Sequence, residues 1–395
     1  MQGGNWTRSD LRIAIIGGGI GGLTAALALR QVGFDPQVFE QAPDLREVGA
    51  AILMWPNAMR VLHRLGLAET IREHGGLLEQ GRWLTPKGKL IKEFRLPETG
   101  EPAIALHRAE LQRALLNALP DDSIHLGHTC ETYEQLRDRI VAHFANQASF
   151  ESDLLIAADG VHSRTRAQLL NDGPPDNQGY LAWRGVVSYT PSSVPAATAI
   201  EIYGRGQRFG IGPLGLGKLG WWASTNAPIN SSDAAKTRDQ LLRLFDGWCE
   251  PVKELIEATP LTSLIRNDVC DRRPRRGWIS GAVTLLGDAV HPTTPNLGQG
   301  GCLAIEDAAV LARCLDKSGT ETRAQISAAL HNFERLRYPR TAAIARYSRV
   351  YGRIGQWERP WAVELRRIGQ SLVPQQFIER FLREVFSYDA YAVRI

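Results

Sequence analysis

The stretch VTLLGDAVHPTTPNLGQGGCLAIEDAAVLARCL, residues 283–315, is the segment around which this 395-residue chain is predicted to fold. Its first four residues are mostly apolar and form a run short enough for a buried strand, which ends at Gly287-Asp288. Two prolines keep the next segment extended or turned, and Gly298 to Gly301 then lead into a helical pattern. The sequence therefore predicts a helix N-terminus whose unpaired N–H groups face an anion or an electron-rich carbonyl. Glycines at that point let a flat ligand approach the backbone.

A second glycine-rich unit lies near the start of the chain. Leu11 to Ile16 predicts a buried parallel strand, and Gly17 to Gly22 then fits the pattern G-x-G-x-x-G. An apolar helix follows, and a second strand ends on Glu40, about 20 residues past the glycines, where an acid binds a ribose hydroxyl. Together these features predict a dinucleotide site; the alternative is a tight turn that needs glycine.

Two more segments point to the same ligand. Asp153 to Ala158 predicts a strand that ends on Asp159-Gly160, so three strand ends, with those at Gly17 and Asp288, converge on one cofactor. Arg108 stands in the first turn of a helix, where the helix dipole does not favour a cation. We therefore expect an anionic partner such as a pyrophosphate there; the alternative is a surface arginine paired with a neighbour.

The middle of the chain differs in composition from the segments on either side of it. Residues 179–226 hold aromatic and β-branched runs between glycine turns, which predicts an antiparallel sheet inserted into the first domain. Gly215 to Gly220 also fits G-x-G-x-x-G, but Trp221-Trp222 follows instead of a helix, so a hairpin turn is predicted. Gly81 to Arg95 predicts a second hairpin, and Pro339 is expected to break a C-terminal helix. The predicted divisions are a flexible tail at 1–10, a discontinuous cofactor domain at 11–178 and 271–330, a substrate domain at 179–270 and a helical segment at 331–395.

Composition narrows the class of protein. The net charge is +4 without a block of like charges, which gives nucleic-acid binding little support. The five cysteines contain no C-x-x-C pair, so we expect reduced thiols in a cytoplasmic protein and no metal site. The first residues lack an apolar signal region, and no apolar run reaches about 18 residues, so no integral membrane segment is predicted. The basic C-terminal helices could lie on a membrane, cap the core or form a dimer face.

With these motifs in order, the chain resembles the single-component flavoprotein monooxygenases of the aromatic-hydroxylase group, in the branch with salicylate hydroxylase, 3-hydroxybenzoate 6-hydroxylase, urate hydroxylase and zeaxanthin-epoxidase-like proteins. The resemblance implies an α/β fold: a three-layer, Rossmann-like FAD-binding domain like that of glutathione reductase, an inserted mixed or antiparallel β-sheet substrate domain, and C-terminal helices. It implies non-covalent FAD. The implied cofactor contacts are Gly17, Gly19, Ile20, Gly21, Gly22, Glu40, Gln41, Ala51, Arg108, Gln112, Asp159, Asp288, Gly298, Gln299, Gly300 and Gly301.

The resemblance also implies a reaction. NAD(P)H, which has no Rossmann domain of its own here, reduces FAD, and O2 then yields a C4a-hydroperoxyflavin that hydroxylates a small aromatic or heterocyclic compound. The implied catalytic residues are Arg208, Arg184 and Pro292, and the implied substrate wall is Trp183, Phe209, Trp222 and Asn296. Arginines in an apolar sheet suggest an anionic group on the substrate; the alternative is that they pair with Glu201 or lie in solvent.

Two departures from the family pattern argue against a phenolic substrate and against urate. Leu219 to Trp222 stands where phenol-hydroxylating relatives often offer Tyr or His, and Asn296 stands where urate-type enzymes have Asp. Two alternatives stay open: a flavin epoxidase on a hydrophobic polyene or quinone-like substrate, and a flavin-binding sensor without turnover. The protein is expected to be a monomer or a homodimer.

Overall fold

The computed structural model describes residues 8–44, 50–226, 238–318 and 320–395. Most of the predicted tail at 1–10 lies outside the described residues. The strands are β1 (Ile13–Ile16), β2 (Pro36–Phe39), β3 (Ala51–Met54), β4 (Gly76–Leu78), β5 (Gln80–Leu84), β6 (Leu90–Arg95), β7 (Ala103–His107), β8 (Ile124–His125), β9 (Cys130–Gln135), β10 (Ile140–Phe144), β11 (Ser149–Ser152), β12 (Leu154–Ala157), β13 (Asp176–Val187), β14 (Thr198–Tyr203), β15 (Gln207–Gly215), β16 (Lys218–Asn226), β17 (Ile265–Asp271), β18 (Ile279–Ser280) and β19 (Val283–Leu285).

The helices connect and cover these strands. They are α1 (Ile20–Gln31), α2 (Pro56–Arg64), α3 (Ala68–His74), α4 (Arg108–Asn117), α5 (Arg164–Leu170), α6 (Arg238–Leu244), α7 (Val252–Ala258), α8 (Gly300–Ser318), α9 (Arg323–Gly355), α10 (Pro360–Leu372) and α11 (Gln375–Phe386).

The first domain is built on a six-stranded sheet in the order β18-β19-β12-β1-β2-β8. All neighbouring pairs are parallel except β18 with β19. Strand β1 is IAII and every residue is buried, as expected for a parallel strand covered on both faces. Helices α1 and α8 pack together beside the sheet, and the small sheet β11-β10-β9 contributes Phe144 and Phe150, whose rings contact Phe39 on β2. The predicted α/β fold is confirmed.

The second sheet has seven strands in the order β17-β13-β16-β15-β14-β5-β6. Its pairs are antiparallel except β14 with β5, so the sheet is mixed. The predicted hairpin at Gly81 to Arg95 is confirmed as β5 and β6, and it joins this sheet from the earlier part of the chain. The predicted hairpin turn at Gly215 to Gly220 is also confirmed, between β15 and β16.

The prediction that Pro339 breaks a helix is wrong. Helix α9 runs without interruption from Arg323 to Gly355 with Pro339 inside it. Proline removes one backbone hydrogen bond, but buried contacts on either side hold this helix in place. Arg337 pairs with Glu306 at 2.7 Å and with Asp307 at 2.6 Å, and Arg340 also pairs with Glu306. We infer that these tertiary ion pairs keep α9 helical despite the proline at position 339.

Candidate functional site: a dinucleotide cleft beneath a mixed sheet

Four polar or glycine positions meet at one edge of the parallel sheet. The last residues of β1, β2, β12 and β19 are neighbours in the ladder, because Ile16 pairs with both Phe39 and Ala157, and Ala157 pairs with Leu285. The residues that follow these ends are Gly17, Glu40, Asp159 and Asp288. The topology thus brings together the strand ends that the sequence singled out, at the edge where ligands bind in open α/β sheets.

The glycines of the loop between β1 and α1 are required for different physical reasons. Gly17 has φ +107°, and a Cβ there would lie 2.4 Å from the carbonyl oxygen of Ala158. A Cβ on Gly22 would lie 1.9 Å from the Gly17 oxygen, so both positions exclude any larger residue. A Cβ on Gly19 would meet no atom of the described residues within 4 Å. Gly19 therefore gives the loop a place where a ligand, rather than the protein, can approach the backbone.

Glu40 and Gln112 fix this loop from two sides. One Glu40 carboxylate oxygen accepts from the Gly18 N–H at 2.6 Å and the other from the Ala42 N–H at 2.9 Å. The Gln112 amide on α4 donates to the Gly18 carbonyl at 3.2 Å. Each carboxylate oxygen keeps a further lone pair, so Glu40 can orient the loop and still accept from a ligand hydroxyl.

Asp159 carries an acceptor without a protein partner. Its Oδ2 accepts from the Thr165 N–H at 3.2 Å, whereas its Oδ1 is buried and meets no donor among the described residues. Burial raises the pKa of Asp159, and hydrogen bonds from Ser163 and Thr165 oppose that rise. An unsatisfied buried acceptor costs about 1–3 kcal/mol, so Oδ1 is suited to a donor on a ligand.

Asp288 lies among charged groups at the start of α8. Its side chain is reached by solvent, yet surrounding protein raises its pKa, an effect opposed by His291 and Arg108. A Cβ built on Gly300 would lie 3.7 Å from Asp288 Oδ1, so the carboxylate stands beside the helix N-terminus. A helix N-terminus favours negative charge nearby, which suits an acceptor for ligand hydroxyls.

The glycine-rich loop before α8 is anchored on β3 and α2. Trp55 Nε1 donates to the Leu297 carbonyl at 3.0 Å, and Asn57 Nδ2 donates to Gln299 Oε1 at 3.0 Å. Gly298 has φ +61° and a Cβ there would lie 2.8 Å from Leu53 Cδ1, so a larger residue would strain the backbone and displace the Leu53 side chain. The first N–H groups of α8 have no partner within the helix and are held in a fixed direction.

The other predicted cofactor contacts and Pro292 lie at the edges of the cleft-forming elements or in the turn after Asp288. Ile20 is buried at the start of α1, and Gln41 is exposed directly after Glu40. Ala51 opens β3, where its Cβ lies 2.8 Å from a Cβ built on Gly220 of the second sheet. Pro292 is buried, and its carbonyl accepts from the Arg272 N–H at 3.5 Å.

A buried ionic network behind the site was missed by sequence reasoning. Glu306 and Asp307 on α8 are fully buried and pair with Arg337 of α9. Asp307 also accepts from the Gly287 N–H at 3.0 Å and contacts His291 Nε2 at 2.6 Å. Burial would raise the pKa of Asp307, but His291 and Arg337 hold it below its usual value. The only sign of this network in the sequence is the pair of adjacent acidic residues, Glu306 and Asp307, within an otherwise apolar helical segment.

Arg166 is a second residue that the sequence did not reveal. Its guanidinium is 1% exposed and donates to the carbonyls of Ala289 at 3.0 Å and Val290 at 2.6 Å. It also pairs with Asp172 at 2.6 Å. The segment after Asp159 therefore holds the turn that carries Asp288, a contact between residues more than a hundred positions apart.

The mixed sheet shows two distinct faces. Arg184, Trp222 and Gly210 form one cross-strand row, and Arg208 lies on the same face two residues from Gly210. Trp183 and Phe209 lie in the adjacent row and point the other way, into a core with residues of α6 and α7. Because side chains alternate along a strand, the structure does not bring Trp183 and Phe209 to the face of Arg208 and Trp222. The geometry gives no support to these two rings as substrate wall.

Arg208 is occupied by the protein itself. It is 1% exposed, pairs with Glu201 at 3.2 Å and donates from Nε to Gln356 Oε1 at 2.9 Å. It also donates to Asn296 Oδ1 and lies over the ring of Trp222. The geometry thus favours the alternative in which Arg208 pairs with Glu201.

Asn296 is similarly engaged. Its Oδ1 accepts from Arg208, and its Nδ2 donates to Tyr180 Oη at 2.9 Å and to Thr294 Oγ1 at 2.8 Å. Asn296 therefore ties the loop before α8 to strands β13 and β15, and its amide has little hydrogen-bonding capacity left for a substrate.

Arg184 differs from Arg208 in its partners. It donates to Asn267 Oδ1 at 3.2 Å and forms no ion pair with a carboxylate of the described residues. Burial lowers the pKa of Arg184, and the nearby Arg108 cation lowers it further. Two neighbouring cations without a carboxylate between them favour an anionic group at this place.

A cavity of about 580 Å³ opens beside the mixed sheet. Its lining includes Tyr180 and Thr294, the two residues that accept from Asn296, together with Arg349 and Arg353 of α9. Gln356, which accepts from Arg208 Nε, also lines the cavity, so the cavity adjoins the hydrogen-bond network of Arg208.

Comparison with known proteins gives a consistent family. The family model described as "FAD binding domain" matches residues 10–348. The aurachin C monooxygenase/isomerase of Stigmatella aurantiaca is 40% identical, over 91% of this chain and 93% of the relative. The FAD-dependent urate hydroxylase of Klebsiella pneumoniae is 34% identical, over 90% of this chain and 94% of the relative. The structure of Klebsiella pneumoniae HpxO complexed with FAD and uric acid has a TM-score of 0.89 and 30% identity, over 96% of this chain and 98% of that chain.

No helix in the described part of the chain combines the length and the apolar character needed to cross a bilayer.

Proposed function

Because this chain belongs to the FAD binding domain family and is an FAD-dependent monooxygenase, we propose that it uses NAD(P)H and O2 to hydroxylate a small aromatic or heterocyclic compound. The observation that carries the proposal is the cleft in which Gly19, Asp159 and Asp288 offer an open backbone, an unsatisfied acceptor and a carboxylate to one ligand.

The residues of the cleft fit FAD. Gly19 and its neighbours would receive the pyrophosphate at the N-terminus of α1, with Arg108 as a nearby cation. Glu40 would accept from a ribose hydroxyl, and Asp159 and Asp288 would accept from hydroxyls further along the cofactor. When bound, FAD supplies hydride acceptance from NAD(P)H and the activation of O2.

The start of α8 would stabilise negative charge on the cofactor. Its first N–H groups are held in place by the anchored loop from Leu297 to Gln299, so no reorganisation is needed when charge develops. The buried pair of Asp307 and Arg337 keeps α8 fixed against α9. We propose that this rigid end is the part of the chain that lowers the energy of the reduced cofactor.

The substrate would lie against the face of the mixed sheet that carries Trp222 and Arg184. The Trp222 indole covers Gly210, since a Cβ there would lie 1.9 Å from Trp222 Nε1, and it offers a flat apolar surface. Arg184 is its cross-strand neighbour and has no carboxylate partner among the described residues. A planar substrate with an anionic or polarised group fits this pair better than it fits the occupied Arg208.

Epoxidation of a hydrophobic polyene or quinone-like substrate is the second candidate. The observation in its favour is that Arg208 is bound by Glu201 and Asn296, which leaves the centre of this face without a free anion-binding group. The sensor alternative loses its support, because the relatives are named as monooxygenases and hydroxylases. We also propose a cytoplasmic location, since all five cysteines are free thiols.

The test is a screen of aromatic acids, heterocycles and polyenes for stimulated NAD(P)H oxidation, with the product mass measured under labelled O2. Incorporation of one labelled oxygen atom into a ring compound supports hydroxylation. Labelled epoxide from a polyene selects the second candidate. Oxidation of NAD(P)H that no compound stimulates, with unlabelled products throughout, would contradict both.

A further inference from the structure

The C-terminal helices leave a large apolar surface uncovered. Eight large apolar residues of these helices are more than one third exposed, including Trp361 at 65% and Leu372 at 73%. We call them the C-terminal apolar stripe: Tyr347, Val350 and Ile354 of α9, Trp361, Leu365, Ile368 and Leu372 of α10, and Phe377 of α11. Soluble proteins seldom expose large apolar residues in a contiguous group unless it binds something.

The stripe follows one side of α10. Trp361, Leu365, Ile368 and Leu372 recur at the spacing that places residues on a single helix face. The opposite face holds the helix to the protein, because buried Arg366 donates to the Gly355 carbonyl and to the Gly204 carbonyl, each at 2.6 Å. Helix α10 is therefore amphipathic in its docked position, with its apolar face outward.

The neighbouring helices extend this surface. Arg366 of α10 also donates to the Ile354 carbonyl of α9, at 3.3 Å. The Tyr347 ring of α9 meets the Phe381 ring of α11 with centroids 5.6 Å apart. The three helices thus form one connected unit whose outward residues include the stripe.

The helices that carry the stripe are rich in arginine. Residues 341–384 contain eight arginines and four glutamates, a net charge of +4, and the whole chain with 46 basic and 42 acidic residues is also +4. The rest of the chain is therefore neutral, and the positive charge is concentrated on these helices. Exposed Arg346, Arg353, Arg359 and Arg380 form no ion pair with the residues that the structure describes.

We propose that the C-terminal apolar stripe docks this protein on the surface of an anionic lipid bilayer. Amphipathic helices with Trp, Leu and Phe on one face and arginines around it lie in the bilayer interface. Anionic headgroups attract arginines near the surface by about 1 kcal/mol each. The helices lie on the bilayer and do not cross it.

A second copy of this chain fits the same surface less well. A two-fold dimer through the stripe would set each patch against its own copy, so the unpaired arginines of one protomer would face those of the other. Like charges opposed across an interface disfavour association, whereas an anionic surface complements them.

The experiment is co-sedimentation of the FAD-loaded protein with vesicles of phosphatidylcholine alone and of an equimolar mixture with phosphatidylglycerol. Binding is expected only to the mixture and is expected to weaken as salt is added, because salt screens exposed charges. The double variant Trp361→Ser with Leu365→Ser should lower binding about tenfold or more. The matched control is Leu90→Ser with Leu261→Ser, at positions 52% and 58% exposed outside the stripe, which should bind like wild type.

A second readout keeps the test independent of the folding of the double variant. Brominated lipids should quench part of the tryptophan fluorescence of wild type, and Trp361→Phe should lose that part while it still binds. Binding that is equal for wild type and the stripe variant, or quenching that survives in Trp361→Phe, would overturn the proposal. A dimer that the stripe variant abolishes, without vesicle binding, would overturn it in favour of a second copy.

Discussion

At the scale of single residues, two arginines on one sheet face have different environments. Arg208 is buried and held by Glu201, Gln356 and Asn296, so its guanidinium is part of the connection between the sheet, α9 and the loop before α8. Arg184 is partly accessible and has only an amide partner among the described residues. The difference assigns a structural role to the first arginine and leaves the second for a ligand.

Replacing each arginine by methionine should separate these roles. Arg208→Met removes the cationic partner of Glu201, whose side chain is only 16% exposed and otherwise accepts from the hydroxyls of Tyr203 and Tyr351, so we expect the free energy of unfolding to fall by about 3–5 kcal/mol. Arg184→Met should change stability by less than about 1 kcal/mol and should weaken substrate-stimulated NAD(P)H oxidation. Urea unfolding and stimulated oxidation are measured on both. Equal stability losses in the two variants would contradict the assignment.

We expect the Asp288 carboxylate to destabilise the apoprotein and to strengthen the binding of FAD. The protein around Asp288 raises its folded-state pKa even though solvent reaches the side chain, so ionised Asp288 disfavours folding once the pH exceeds its ordinary value of 3.8. Asp288→Asn should therefore make the apoprotein more stable at neutral pH, and the gain should vanish as the pH falls below that value. FAD affinity should fall about tenfold or more, because a charged hydrogen-bond acceptor is lost.

Asp268→Asn, at an exposed strand position, is the control and should alter neither quantity. Urea unfolding across pH and FAD titration give the two readouts. Asp288→Asn that matches wild type in both would show that the carboxylate does not face the cofactor.

At the scale of elements, the glycine loop between β1 and α1 combines two different requirements. Gly22 is needed by the protein, because a Cβ there would overlap the Gly17 carbonyl oxygen, whereas a Cβ on Gly19 would meet no described atom within 4 Å. The same motif thus contains a glycine for packing and a glycine for ligand approach. The two can be told apart by which property each substitution damages.

Gly22→Ala should lower the apoprotein melting temperature strongly, because a contact at 1.9 Å forces β1 and α1 apart. Gly19→Ala should melt with wild type but bind FAD about tenfold or more weakly, since its methyl group occupies the place of closest ligand approach. Thermal unfolding without FAD and fluorescence titration with FAD give the two values. If Gly19→Ala destabilised the apoprotein as much as Gly22→Ala, the distinction would be wrong.

At the scale of the whole molecule, the cofactor cleft and the mixed sheet are joined at several places. The hairpin of β5 and β6 enters the second sheet from the first domain, and Gly220 of that sheet approaches Ala51 of β3. Asn296 adds a polar connection to both β13 and β15. Because the two parts are joined in this way, a ligand that binds in the cleft should stabilise the second sheet as well as the first.

FAD should raise the melting temperature, and the rise should grow with the logarithm of the FAD concentration. At a hundredfold excess over Kd, the free energy of unfolding should increase by about 2.7 kcal/mol. FMN should give little or no rise, because it lacks the adenylate half for which the loop from Gly17 to Gly22 and Glu40 are built. A thermal-shift titration with each flavin measures the effect. An equal rise with FMN would show that the first loop does not bind the cofactor.

The parallel sheet, the glycine loop and the segment at Asp288 could be predicted from the amino-acid sequence. These features are local: a buried strand needs a continuous apolar run, and a tight turn needs glycine, so each can be recognised within a few residues. The family followed from the order of such segments along the chain.

Which side chains contact one another could be learned only from the folded structure. Strands β13, β15 and β16 are buried on both faces, so no alternation of polar and apolar residues indicated that Trp183 and Phe209 point away from Arg208. Arg208 is hydrogen-bonded to Gln356, 148 positions away, and Arg337, two residues before Pro339 in the uninterrupted helix α9, pairs with acids on another helix. Partners so distant in sequence leave no local pattern, because only packing brings them together.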